Sequence, residues 1–298
     1  MKNIANAKGN RTHTFIGPLL SLVLFIALTL MLQPFNINAA HADTEMPYYT
    51  FAVVPQQSAS KLTKIWAPIL NRIEKDTGIR LVLKTAPNIP EFEHRVSQLQ
   101  YDFAYMNPYH YTVFHQKPGY QAFAKQQDKR IRGIIVVKKD SNITDLKQLD
   151  GETLVFPSPA AFAASVIPRS SLKAMGINIT PQYVSSHDSV YLNVVKGLFP
   201  AGGGIERTLN NTDNAVRNDL KVLWRTPDYT PHAFATHPDL PKEVSDKVSR
   251  AMLALNDTDA GKTLLSRIKF KGIEAAQNED WDDVRALNIT LLDKLLEQ

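Results

Sequence analysis

Residues 101–108 read YDFAYMNP, a short apolar strand that runs directly into the start of a helix. Asn107 is a typical N-cap residue, and proline is favoured at the first position of a helix. The same succession of strand, cap and helix recurs at Ser158 and at Ser186. Parallel strands need crossover connections, so strands and helices that alternate along the chain indicate an α/β fold with mostly parallel sheets.

The turns at Asn107, Ser158 and Ser186 have a further meaning in such a fold. Ligands of open α/β sheets bind at the carboxyl ends of strands, and a helix N-terminus offers free N–H groups and a positive dipole end to an anion. Taken singly, each turn is also explained by ordinary helix capping. The three turns are therefore candidate anion sites.

The N-terminal segment has the pattern of a secretory signal. Residues 1–42 carry basic but no acidic side chains, contain an apolar run over 19–32, and end in Ala-His-Ala. This order predicts a signal peptide that is cleaved after Ala42. An uncleaved membrane anchor is the alternative, but the run is shorter than the roughly 18 to 20 residues that span a bilayer. Because the chain has no cysteine for lipid attachment, we expect a soluble protein in a bacterial periplasm.

Composition limits the possible functions. The 298 residues include no cysteine, which excludes disulfides, thiolate metal sites and cysteine nucleophiles. The formal charge is +5, but residues 43–298 contain 31 basic against 29 acidic side chains. A charge so close to zero argues against a nucleic-acid-binding protein. The mature chain is long enough for two domains of roughly 100 to 150 residues.

Several short segments occur in a specific order and spacing. They are 51–55 (FAVVP), 101–108 (YDFAYMNP), 134–141 (IIVVKKDS), 145–156 (DLKQLDGETLVF), 168–169 (PR), 186–188 (SHD) and 239–241 (DLP). Together they resemble the phosphate/phosphite/phosphonate-type (PhnD-like) periplasmic substrate-binding proteins of ABC transporters, over essentially the whole mature chain. The resemblance implies a two-lobed type II periplasmic binding protein fold. The ligand would lie in a cleft between lobes that close on it, and no chemistry would be performed.

The resemblance also places the lobes. Lobe 1 is expected to hold residues 43–136 together with 233–298, and lobe 2 to hold residues 137–232. The two crossings, near Val137 and His232, would form the hinge. We expect a monomer that needs no cofactor and no metal.

Ligand-binding residues can be carried over position by position. The resemblance implies Tyr105, Asn107, Ser158 and His187, with Gln56, Phe162 and Arg207 as further candidates. His187 matches the histidine that faces the anion in this family. The dipole of its helix disfavours the cationic imidazole and a bound anion would restore it, so the charge of His187 is expected to depend on binding.

Two departures from the family pattern bear on the ligand. Where the family usually has G-S-T-S-G, whose hydroxyls bind phosphonate oxygens, residues 160–164 read AAFAA. Each lost hydrogen bond to a charged group costs roughly 1.5 to 3 kcal/mol. In the turn at 200–205, Ile205 replaces an acidic residue that faces the amine of aminophosphonates, and the glycines at 202–204 allow a backbone to approach a ligand closely. These departures predict an organophosphonate, another small oxyanion or an uncharged compound rather than free phosphate.

Two other functional classes, an enzyme and a sensor, are alternatives to a transport protein. The sequence offers no positive evidence for an enzyme, because it contains no G-x-S-x-G, H-E-x-x-H or P-loop motif. Its paired histidines are five residues apart, whereas two metal ligands on one face of a helix must be three or four residues apart. A sensor is the stronger alternative: a protein of the same fold that reports its ligand to a membrane histidine kinase. The expected partner is therefore an inner-membrane permease or a sensor kinase, with a small molecule as ligand.

Overall fold

The structure, a computed structural model, describes residues 47–297, so the predicted signal peptide lies outside the described residues. The strands are β1 (Tyr48–Val53), β2 (Arg80–Lys84), β3 (Phe103–Met106), β4 (Gln121–Gln126), β5 (Ile131–Lys138), β6 (Thr153–Phe156), β7 (Thr180–Tyr183), β8 (Ala201–Ile205), β9 (Leu220–Tyr229), β10 (Ala233–Thr236) and β11 (Ile273–Ala275). They form two sheets. Within the described residues, no helix is long and apolar enough to cross a membrane.

The helices lie between and around these strands. They are α1 (Ala59–Thr77), α2 (Ile89–Ser97), α3 (Pro108–Gln116), α4 (Ile167–Ala174), α5 (His187–Val195), α6 (Glu206–Asn211), α7 (Asn214–Asn218), α8 (Lys242–Leu253), α9 (Asp259–Arg267), α10 (Asp282–Arg285) and α11 (Asp293–Leu296). A single π-helical turn, Phe162–Val166, precedes α4. Short 3₁₀ turns cover Leu146–Leu149, Ala254–Asp257 and Asn278–Trp281.

The two sheets are the centres of two lobes, as the resemblance implied. The first lobe contains the six-stranded sheet in the order β11-β4-β10-β3-β1-β2, and the second contains the five-stranded sheet in the order β7-β6-β8-β5-β9. The chain crosses between the sheets at residues 127–130 and again at 230–232. The whole of β5, including Val136, belongs to the second sheet, so the first crossing comes earlier than the boundary expected at that residue.

Strand pairing is mixed rather than mostly parallel. β1 pairs in parallel with β2 and β3, and β6 does so with β7 and β8. The pairs β10–β3, β10–β4, β11–β4, β5–β8 and β5–β9 are antiparallel. The alternation of strands and helices could not reveal these pairs, because the direction of pairing depends on contacts between segments that are distant in the sequence.

The helix α1 shows how the apolar pattern builds the first lobe. Leu62, Trp66 and Ile69 recur at helical spacing and are buried against the sheet, where the ring of Trp66 lies 5.9 Å from that of Phe51. The sequence pattern predicts Ser60 as the N-cap of this helix, but Ser58 is the cap and the helix begins at Ala59.

The pattern of residues 281–296 predicts one continuous C-terminal helix. The structure has only the short helices α10 and α11 there, with an irregular stretch between them. Asn288 adopts a φ of 49°, in the left-handed region that a helix cannot continue through.

The glycines at 202–204 form the buried strand β8 and not a turn. A Cβ atom at Gly203 would overlap the carbonyl oxygen of Ala164, and one at Gly204 would overlap the ring and hydroxyl of Tyr191. The groups that approach this backbone closely are therefore other residues of the second lobe, and not a ligand. The glycines are explained by packing.

Candidate ligand-binding site

The candidate site lies where the ends of several strands from both lobes meet. The chain leaves β1 at Val53 and reaches Gln56, while the crossing between β9 and β10 contributes His232. From the second lobe, α5 begins at His187, and Arg207 lies in the first turn of α6, directly after β8. All except Arg207, which is half-buried, are buried.

Gln56 connects these elements through both polar atoms of its side chain and through its backbone carbonyl. Its Nε2 lies 2.9 Å from His232 Nε2, and its Oε1 accepts a hydrogen bond from the guanidinium of Arg207. Its backbone carbonyl accepts a hydrogen bond of 2.9 Å from the backbone N–H of His187. One first-lobe residue thus bonds to two helices of the second lobe and to one chain crossing.

Arg207 is held against the first lobe by a second contact. Its guanidinium carbon lies 5.8 Å from the centre of the Tyr105 ring, a cation–π arrangement. Tyr105 in turn stacks on His232, with ring centres 5.1 Å apart and an angle of 20° between the planes. Burial of both rings, with Arg207 close by, keeps the pKa of His232 well below its usual range.

His187 is positioned by a short, tightly defined turn. Ser186 caps α5, as predicted, by accepting from the backbone N–H of Ser189, and Ser185 has a φ of 70°, which is uncommon for a residue other than glycine. The imidazole Nδ1 lies 3.0 Å from Thr208 Oγ1. Burial first, and the positive charge of Arg207 second, lower the pKa of His187 to about 3. The ring is therefore neutral at physiological pH.

The buried His187 should make folding stability depend on pH. Its pKa rises from about 3 in the folded chain to about 6.5 in the unfolded chain, so below pH 6.5 the unfolded state binds the additional proton and stability falls. Between pH 6.5 and pH 5 this amounts to about 2 kcal/mol. In urea unfolding at both pH values, His187→Gln should lose about 2 kcal/mol less than the unmodified protein. His94→Gln, on the exposed face of α2, is the control, and an equal pH dependence in all three proteins would contradict this assignment.

Phe162 lies in the small cavity between the lobes, which we call the inter-lobe cavity. Its walls also include Ile89, Asn107, His187 and Ile205, and its volume is about 10 Å³. A single water molecule needs about 10 to 15 Å³. The π-helical turn that carries Phe162 is buried throughout, and its ring packs edge-on to Tyr229 at 5.3 Å. In this arrangement the side chains of the protein fill the space between the lobes.

Asn107 caps α3, as its sequence predicted, and also contacts the second lobe. Its Oδ1 accepts from the backbone N–H of His110 at 2.8 Å, and its Nδ2 donates to the carbonyl oxygen of Ala160 at 3.3 Å. The same Nδ2 lies 2.9 Å from His110 Nε2, which is 2.8 Å from Glu93 Oε1. Asn107 therefore ties a buried polar cluster of the first lobe to the loop at 160–164.

Ser158 is the candidate that the structure does not bring to a cavity. It lies in the bend after β6, and no helix begins there: the chain becomes helical only at Phe162, so the predicted cap is wrong. Its Oγ is buried and has no hydrogen-bond partner among residues 47–297. Ser158 lines neither the inter-lobe cavity nor the larger cavity beside the two chain crossings.

A larger cavity lies beside the two chain crossings, and we call it the crossing cavity. Its volume is about 290 Å³. Tyr105 and Arg207, both predicted as ligand-binding residues, line it. It shares three wall residues with the inter-lobe cavity, namely Ile131, Ile205 and His232. The two cavities are thus adjacent.

Sequence reasoning did not include His232 or Ile131 among the ligand-binding residues, although it placed one of the two crossings near His232. His232 lies in the crossing at 230–232, and Ile131 directly follows the crossing at 127–130, so a correct placement of both crossings would have pointed to both residues. The described residues contain no cluster of His, Asp or Glu arranged to hold a metal.

Comparisons with known proteins agree with this architecture. The family model described as "ABC transporter, phosphonate, periplasmic substrate-binding protein" matches residues 51–281. A "Phosphate-import protein PhnD" of Mycolicibacterium smegmatis is 22% identical over 231 residues, which cover 67% of this chain and 69% of that protein.

Two solved structures share the fold. The binding protein component of an ABC phosphonate transporter from Pseudomonas aeruginosa has a TM-score of 0.75 and 16% identity, covering 81% of this chain and 85% of its own. PhnD1 from Prochlorococcus marinus, in complex with methylphosphonate, has a TM-score of 0.73 and 19% identity, covering 81% and 98%. The match of the family model over most of the chain shows that this protein belongs to the periplasmic substrate-binding proteins of phosphonate-type ABC transporters.

Proposed function

We propose that this chain is the substrate-binding subunit of an ABC importer and that it holds a small organic anion between its two lobes. The observation that carries the proposal is the junction at Gln56, where polar groups of both lobes meet Arg207, His187 and His232. Family membership supports the transport role. The role of binding protein also agrees with the absence of catalytic motifs from the sequence.

Closure of the lobes on the ligand forms part of the proposal. Asp188, in the first turn of α5, lies across the cleft from the first lobe: its Oδ1 accepts from Gln57 Nε2, and its Oδ2 from the backbone N–H of Ser58, both at 3.3 Å. With the Gln56–Arg207 bond, these contacts form only when the lobes are together. A ligand that prefers this state would shift the equilibrium towards it.

The ligand class follows from the site's departures from the family pattern. The resemblance implies that phosphonate oxygens are bound by hydroxyls at positions where residues 160–164 have none, and Phe162 lies in the inter-lobe cavity. A cationic side chain, Arg207, stands two residues after the position at which the family has an acid. The ligand is therefore an anion that differs from the family's usual one.

The proposal includes the site of action and the partner. The chain is exported to the periplasm, is cleaved after Ala42, acts as a monomer and delivers its ligand to an inner-membrane permease. The family is periplasmic, and the signal pattern of residues 1–42 supports export.

Thermal unfolding against a ligand panel tests the proposal. The full chain is expressed with its own N-terminal segment, recovered from the periplasm, and heated with phosphate, phosphite, methylphosphonate, phenylphosphonate, sulfate, amino acids and sugars. At a thousand times its dissociation constant, a ligand stabilises by about 4 kcal/mol, which raises the midpoint by about 8 to 16 °C. We expect such a rise with an organic anion. A rise with sugars alone, or a probe that is chemically altered on incubation, would contradict the proposal.

Sensing is the second candidate function. The observation that favours it is the filled inter-lobe cavity, since lobes that contact each other directly suit a protein that signals through its conformation. The genes beside this one discriminate between the two functions. Permease and ATPase genes would support transport, whereas a histidine kinase and response regulator would support sensing.

A further inference from the structure

The crossing cavity is large enough for a small molecule, whereas the inter-lobe cavity is not. Its volume of about 290 Å³ is close to the lower end of the range for small-molecule sites, against about 10 Å³ for its neighbour. Residues of both chain crossings line it, among them Arg130 and Pro231. A molecule bound there would contact both lobes.

Most of the charged side chains that line the crossing cavity form ion pairs with neighbouring side chains. Arg132 pairs with Asp228 at 2.7 Å, and Arg130 pairs with Asp228 at 3.4 Å and with Asp283 at 2.6 Å. Glu206 pairs with Arg225 at 2.6 Å. The two remaining charged residues of the lining, Asp128 and Lys129, are exposed to solvent. The rim is therefore largely neutralised by its own ion pairs.

Arg207 is different from these rim residues. Within the described part of the chain it forms no ion pair, and its only hydrogen bond goes to the neutral Oε1 of Gln56. A guanidinium carries five N–H donors in a fixed fork, so the others are free for a ligand oxyanion. The bond to Gln56 and the ring of Tyr105 hold the group in place, which reduces the entropy lost on binding.

The uncharged part of the lining includes Gln126 and His232 and also an apolar portion that suits an organic body. Ile131, Ile205 and Pro231 line the cavity beside the ring of Tyr105. A planar guanidinium binds carboxylate or phosphonate oxygens in a bidentate manner. We infer that the crossing cavity binds a small organic anion, with its oxyanion on Arg207 and its apolar part against Ile131 and Pro231. This inference rests on the proposed function and specifies the ligand class and its place.

Calorimetric titrations of the full chain with phenylphosphonate, benzoate and methylphosphonate test the inference. The first two share the apolar body and differ in the anion, and the third lacks the body. We expect the unmodified protein to bind phenylphosphonate or benzoate, whichever oxyanion is preferred, at least tenfold more tightly than methylphosphonate. Arg207→Gln should weaken that binding at least tenfold, because a charge-assisted pair is lost.

Two further variants keep the test specific. Arg217→Gln, on α7 and outside the cavity lining, removes the same charge from the same lobe and should leave the affinity unchanged. Arg207→Lys keeps the charge but not the fork, and should fall between the unmodified protein and Arg207→Gln. Thermal midpoints without ligand show that each variant is folded.

The outcomes separate the inference from the proposed function. If an anion binds but Arg207→Gln binds it as tightly as the unmodified protein, the inference is overturned and the proposed function stands. If the anion binds only through Phe162 and His187, shown by loss of affinity in variants of those residues alone, the ligand lies in the inter-lobe cavity and the inference is again overturned. If no anion binds at all, both are overturned.

Discussion

Ala161→Ser, Phe162→Thr and Ala163→Ser, introduced together, are expected to create a methylphosphonate site. The changes replace the ring in the inter-lobe cavity by a smaller side chain and supply three hydroxyls at the positions where the family carries them. Each hydrogen bond to a charged oxyanion is worth about 1.5 to 3 kcal/mol, so three correspond to about a thousandfold or more in Kd. Isothermal titration of the triple variant and the unmodified protein with methylphosphonate measures the gain.

A single variant distinguishes the effect of added space on methylphosphonate affinity from the effect of added hydrogen bonds. Phe162→Ala also opens the inter-lobe cavity but adds no hydroxyl, and it should gain less than tenfold. If the triple variant binds methylphosphonate no better than the unmodified protein, the turn at residues 162–166 does not occupy the position of the family's hydroxyl loop.

Gly203→Ala is expected to lower the free energy of unfolding by about 3 kcal/mol. The new methyl group would overlap the carbonyl oxygen of Ala164 and the ring of Phe156, and neither backbone nor a fully buried ring gives way easily. Overpacking a core costs roughly 1 to 3 kcal/mol, with higher values where backbone must move. Urea unfolding of the variant and the unmodified protein measures the loss.

Gly197→Ala is the matched control for this change. Its Cβ would meet open space, but the residue has a φ of 70°, so it reports backbone strain alone, at about 1 kcal/mol. A Gly203→Ala variant as stable as the unmodified protein would mean that the π-helical turn does not pack against β8.

Local signals in the sequence predicted much of the fold. Asn107 and Ser186 cap helices as expected, and the apolar runs at 80–84 and 153–156, which predict strands, form β2 and β6 with those bounds. Turn residues and apolar runs act through neighbours along the chain, which is why a sequence reveals them. The antiparallel pairs and the broken C-terminal helix depend on distant contacts, and these were missed.

The candidate site was likewise predicted only in part. The family resemblance named Gln56, His187 and Arg207 as ligand-binding candidates, and the structure brings these three residues together. The sequence did not show that His232 would bond to Gln56. That contact joins residues 176 positions apart, and only the folded chain specifies it.

A crystal structure of the protein grown with phenylphosphonate tests the central claim most directly. The account predicts phosphonate oxygens within hydrogen-bonding distance of the Arg207 guanidinium, and the phenyl ring against Ile131 and Pro231 in the crossing cavity. Oxygens bound at His187 and the turn at 162–166, with no contact to Arg207, would contradict the assignment of the ligand to the crossing cavity. A ligand bound outside the cleft would contradict the account as a whole.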